Sequence, residues 1–110
     1  MNIKPATKFV AGNTPWRQYL HLLSEVFELF KALLMLKCIC IAERCNIFSL
    51  GNKKDAIIRV GEEIADVQIS GETLRVCCGI KDRKWSEIRL GVMRNNIERG
   101  YYSAEKEELK

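Results

Sequence analysis

The apolar positions along the chain follow helical spacing almost throughout. Thr14-Pro15 reads as a helix start, because threonine caps and proline fits the first turn, where its missing N–H has no partner to lose. From Trp16 to about Arg44 there is no glycine or proline, and Leu, Ala, Glu and Lys dominate; this predicts one helix of roughly 28 residues. Asn46 to Lys54, with Ser49, Gly51 and Asn52, reads as a loop. Asp55 is placed to cap a second helix over Ala56 to Cys78, closed by Gly79, with an apolar stripe of Ile57, Ile64, Val67, Leu74 and Cys78. Asp82 is placed to cap a third helix, Arg83 to about Arg99, with Gly100 just beyond. No stretch alternates as a strand does. The expected fold is all-α, a helical bundle with a long first helix, completed by dimer or tetramer assembly. Residues 1–13 read as a flexible N-terminal arm, 14–101 as the helical domain and 102–110 as a charged tail.

On a wheel of about 100° per residue, His21, Glu25, Glu28 and Ala32 fall on one narrow row. Most of the remaining circumference is apolar, including Leu22, Leu23, Val26, Phe27, Leu29, Phe30, Leu33, Leu34 and Leu36. A helix apolar nearly all round is a buried one, so the two glutamates are expected near the centre of a bundle. Glu63 and Asp66 repeat the three-residue spacing on the second helix, with Glu62 close by. Buried carboxylates are costly unless paired or bound to metal. Either motif alone is ordinary surface charge. Two pairs on successive helices make an oxygen-rich set suited to a hard cation, Mg²⁺ or Mn²⁺.

Glu25-x-x-Glu28 with Lys31, followed by Glu63-x-x-Asp66, resembles the MazG-like all-α nucleoside triphosphate pyrophosphohydrolases. The segments SEVFELFKALL and GEEIADVQIS are similar to theirs, and Asn96-Ile97-Glu98-Arg99 fits the Asn-x-x-Arg that often follows on the next helix. The resemblance spans roughly Trp16 to Tyr101. It departs from the family at Val92, where many relatives carry lysine, and in the long interval between Glu28 and Glu63.

The resemblance implies Mg²⁺-dependent cleavage of a nucleoside triphosphate between the α and β phosphorus, in a nucleotide-pool role. It implies Glu25, Glu28, Glu63 and Asp66 as metal ligands, with Glu28 or Glu63 also positioning and deprotonating water. Lys31, Arg94 and Arg99 would contact phosphate, Asn96 phosphate or sugar, and Trp16 or Trp85 would stack on a base. His21, one turn from Glu25, is placed either to touch substrate or to hydrogen-bond a carboxylate, the second being the favoured reading. A homodimer or homotetramer is implied as well.

Composition narrows the alternatives. Eighteen Lys and Arg against fourteen Asp and Glu leave +4, spread along the chain, which argues against a nucleic-acid binder. The most apolar run, Leu29 to Ala42, is interrupted by Lys31 and Lys37 and is too short to span a membrane. With no apolar leader at the N-terminus, a cytoplasmic protein is expected. A single histidine excludes zinc and iron sites built on two. Five cysteines cannot all pair within one chain, and Cys38, Cys40, Cys45, Cys77 and Cys78 read as buried, inert thiols. The competing function is a non-catalytic helical interaction module that docks through Leu29–Ala42.

Overall fold

The computed structural model describes residues 3–6 and 13–102. Three helices run in order, α1 (Pro15–Arg44), α2 (Lys53–Cys77) and α3 (Asp82–Glu98), with no strand among the described residues. The all-α expectation holds. The chain divides into two compact units, one carrying α1 and α2 and ending at Cys78, the other beginning at Gly79 and carrying α3. Of the terminal segments, residues 1–2, 7–12 and 103–110 lie outside the described residues.

α1 begins as its sequence dictates. Thr14 is the cap, its Oγ1 accepting from the Arg17 N–H at 3.2 Å, and Pro15 opens the first turn. Its C-terminus closes on Asn46, whose φ of +59° lies in the left-handed region. There the Asn46 N–H donates to the Glu43 carbonyl and the Ile47 N–H to the Ala42 carbonyl, so the two crossed bonds of a Schellman cap satisfy the last turn. α3 ends the same way on Gly100 (φ +83°), which donates to Ile97 O while Tyr101 N–H donates to Asn96 O.

Two starts differ from expectation. α2 begins at Lys53, not Ala56: Asn52 is the cap, its Oδ1 accepting from Lys54 N–H at 2.8 Å, and Asp55 sits in the first turn. There its charge still favours the positive end of the helix dipole. α3 begins at Asp82 itself, after Lys81, with no side-chain cap.

α1 and α2 pack antiparallel. Their register is marked at three levels. Gln18 Nε2 donates to Ser70 O at one end, Glu25 meets Glu63 in the middle, and Ile39 lies opposite Gly51 at the far end. The contact row on α1 is therefore Gln18, Glu25, Ala32 and Ile39, and on α2 Ser70, Glu63 and Ala56; each steps by seven residues, as in a coiled-coil seam. All but Glu25, which is half-buried, are buried.

This corrects the expected α2 seam. Ile57 and Ile64, one position round the helix, are half exposed, and Ala56, Glu63 and Ser70 face α1 instead. Small residues let two backbones approach, and the bulkier isoleucines are turned outward. The same holds for α1: Leu20, Leu23, Phe27, Phe30, Leu33 and Leu34 are exposed, so the helix is not buried all round. The apolar core of this unit is thin, comprising Ala32, Ile39, Ala42 and Ala56.

A second layer of support is polar. Ala6 N–H donates to Thr73 Oγ1 at 2.8 Å, and that hydroxyl donates in turn to Ile69 O. This fastens part of the expected N-terminal arm against α2. Arg75 is buried beside Glu72, its Nε donating to Oε1 at 2.8 Å. The cysteines are free, as expected, but Cys38, Cys45 and Cys78 are exposed rather than buried, because they lie outside the α1–α2 contact row. Among the described residues no helix is long and apolar enough to cross a membrane.

In the second unit, α3 carries its charges outward, with Lys84 and Glu87 paired at 3.5 Å. Its buried residue is Ile97.

Candidate active site

The seven-residue register brings three of the four expected acids together. One carboxylate oxygen from each of Glu25, Glu63 and Asp66 lies within 4.8 Å of the other two. Two unit charges at that separation repel by about 3 kcal/mol at an effective dielectric near 20, a repulsion that the Arg59 guanidinium against Glu63 offsets in part. Glu63 is the buried member, only 3% exposed, Glu25 is half-buried and Asp66 is exposed.

A guanidinium and an imidazole attend the cluster. Arg59, one turn before Glu63, places Nη2 2.7 Å from Glu63 Oε1 and Nη1 3.5 Å from Glu62. His21, one turn before Glu25, has Nε2 3.4 Å from Glu25 Oε1. Asp66 makes no ion pair or hydrogen bond among the described residues. Its exposed carboxylate leaves the cluster open on one side.

Glu28 stands apart from the trio. It is three residues from Glu25, hence about 60° round the helix, and its carboxylate takes a hydrogen bond from Lys31 Nζ at 3.2 Å. Lys31 also lies over the Phe27 ring, 5.7 Å from its centroid. The expected set of four ligands is thus three acids with a fourth beside them.

The remaining expected residues are dispersed. Trp16 is exposed on the first turn of α1, tilted against Tyr19 with centroids 5.5 Å apart. Arg94, Asn96 and Arg99 lie at the C-terminal end of α3, in the second unit; the arginines are exposed and Asn96 is half-buried.

A cleft of about 150 Å³ opens beside the acids, between α1 and α2. Glu25 and Asp66 form its acidic side, and Ala6, Gln18, His21, Ile69, Ser70 and Thr73 line the rest. The sequence reading missed Gln18, Ser70 and Arg59. Their signal was available in spacing: Gln18 and Ser70 stand seven residues from Glu25 and Glu63, and Arg59 stands four before Glu63.

A trio of carboxylate oxygens is a donor set of the kind that suits a hard cation, and one softer donor, His21 Nε2, stands 3.4 Å from Glu25 Oε1. Compared with protein-family models, curated proteins and solved structures, the chain matches none.

Proposed function

We propose that the protein is a Mg²⁺-dependent nucleoside triphosphate pyrophosphohydrolase that splits the α–β bond of an NTP or dNTP to give the monophosphate and pyrophosphate. The observation that supports this most is the meeting of Glu25, Glu63 and Asp66 across the α1–α2 contact. Those acids belong to the two motifs on which the sequence resemblance rests.

Glu25, Glu63 and Asp66 would hold the ion. When bound, Mg²⁺ (or Mn²⁺) neutralises triphosphate charge and lowers the pKa of coordinated water. Glu28, outside the trio, is the carboxylate left to accept a proton from the attacking water. The water oxygen bonds to the α phosphorus, its proton passes to Glu28, and the α–β bridging oxygen leaves with the electron pair on pyrophosphate. Lys31, paired with Glu28, keeps that carboxylate oriented and contributes positive charge for the phosphates. Glu63, buried and paired with Arg59, is a ligand in this scheme rather than the base. The phosphate-binding roles of Arg94, Asn96 and Arg99 rest on the resemblance alone.

A homodimer or homotetramer belongs to the same proposal. The α1–α2 unit leaves long rows of Leu and Phe in water, a face that a second copy would cover as bundles cover theirs. A cytoplasmic site of action is likewise part of it.

Pyrophosphate release from canonical NTPs and dNTPs, with Mg²⁺ and with EDTA, tests the reading directly. Release that ceases in EDTA and in Glu63→Gln supports it; no release by folded protein defeats it. The exposed apolar face of α1 favours one alternative, a non-catalytic interaction module. Such a module would keep its partner binding in Glu63→Gln.

A further inference from the structure

We propose that Gln18 is a positioning residue for the acid trio: by tying α1 to α2 two turns away from Glu25, it fixes where Glu25 stands against Glu63 and Asp66. The assignment rests on the reading of the trio as a Mg²⁺ site, in which Gln18 itself is no ligand. Gln18 and Glu25 stand seven residues apart on α1, as Ser70 and Glu63 do on α2, and Asp66 is one turn from Ser70. The bond from Gln18 Nε2 to the Ser70 carbonyl therefore joins the same two rows that carry the acids.

That bond is oriented from outside the helix pair. The Thr14 N–H donates to Asn13 Oδ1 at 3.1 Å, which turns Asn13 Nδ2 to donate to Gln18 Oε1 at 3.1 Å. With its oxygen so engaged, Gln18 presents its nitrogen to Ser70, donating at 3.2 Å. Were the Gln18 amide reversed, two oxygens would meet at Ser70. Gln18 is 2% exposed, so little water reaches it to replace a lost bond.

Apolar packing holds the register of α1 on α2 weakly. Apart from Ile39, the buried apolar residues of the contact are Ala32, Ala42 and Ala56, whose single methyl groups interlock little. One residue's rise along a helix is about 1.5 Å. Metal–ligand distances tolerate only about 0.2 Å, and Mg²⁺ demands near-octahedral geometry. A slip well short of one residue would carry Glu25 out of reach of an ion held by Glu63 and Asp66.

Calorimetric titration of the full-length protein with Mg²⁺ alone, at a temperature where every variant is folded, tests this without turnover. Gln18→Met keeps the length of the side chain and loses the bond. It should weaken Mg²⁺ binding by about tenfold, the low end of what groups orienting metal ligands contribute. Asn13→Asp, at a half-buried position, still accepts from Thr14 but sets an oxygen against Gln18 Oε1. It should weaken Mg²⁺ binding several-fold, although the added negative charge by itself favours a cation. Asn46→Val strains the far end of α1 and serves as the control for stability alone: it should leave Mg²⁺ affinity unchanged. Wild-type affinity in both Gln18→Met and Asn13→Asp would overturn the assignment and leave the cation reading standing. An equal loss in Asn46→Val would overturn it too, since affinity would then follow stability. A wild-type protein that takes up no Mg²⁺ would defeat the cation reading, and this assignment with it.

Discussion

Gln18 and Ser70 are joined across the helix pair by a buried hydrogen bond, from the Gln18 side-chain amide to the Ser70 backbone carbonyl at 3.2 Å. A helical carbonyl already serves the turn below it, so this bond uses its second lone pair and locks the register of α1 against α2. Gln18→Ala should therefore lower stability by about 1–3 kcal/mol, through a lost buried bond and the space left behind. Urea unfolding at fixed protomer concentration measures it. A change under a few tenths of a kcal/mol would mean the register is held elsewhere.

Asn46 carries the left-handed turn that ends α1. Asn46→Val should destabilise by about 1–3 kcal/mol, since a β-branched side chain resists positive φ. Asn46→Gly should be close to neutral or better. Thermal unfolding of the two variants side by side separates backbone strain from loss of the side chain.

The ligand and base roles assigned to Glu63 and Glu28 give different kinetic signatures. Glu63→Gln should weaken Mg²⁺ binding and reduce kcat/KM by about 100-fold or more. Glu28→Gln should lower kcat with Mg²⁺ affinity nearly intact, as expected for a group acting in the transition state. Metal titration with steady-state pyrophosphate release distinguishes them, and the reverse pattern would exchange the two roles.

Arg59 supplies the positive charge now facing Glu63. A divalent ion on the same carboxylate competes with that guanidinium. Arg59→Ala should consequently tighten Mg²⁺ binding several-fold and lower stability in EDTA. Calorimetric titration with Mg²⁺ checks the first effect, and chemical unfolding in EDTA the second. Weaker Mg²⁺ binding would show that Arg59 instead holds Glu63 in its binding position.

Phe30 is exposed on α1, with Phe27 stacked beside it at 6.4 Å between centroids. If a second copy covers this face, the wild-type protein sediments as a dimer or tetramer and Phe30→Asp as a smaller species. A wild-type monomer would remove the oligomer from the proposed function.

The positions of the helices were legible because capping, proline placement and the absence of helix breakers act over a few residues. Thr14, Pro15 and Gly100 each did locally what their chemistry requires. The cap of α2 was read three residues late because Asn52 and Asp55 are both competent caps, and only backbone geometry chooses between them. Of the acids, the sequence marked all four but not their grouping. Glu25 and Glu28 differ by 60° on the helix, and which of them faces α2 depends on rotation about the helix axis.

That rotation is where the sequence by itself stops. It determined an all-α chain, the extent of a long first helix and two acidic pairs at helical spacing, all consequences of short-range backbone and side-chain preferences. The tertiary structure decided that the close contact runs along Gln18, Glu25, Ala32 and Ile39 against Ser70, Glu63 and Ala56, leaving the most apolar rows outside. Hydrophobic periodicity reports which face would gain most by leaving water, but helix approach is limited by side-chain bulk. Small and hydrogen-bonded residues took the contact, and that choice brought three carboxylates together and opened the cleft beside them.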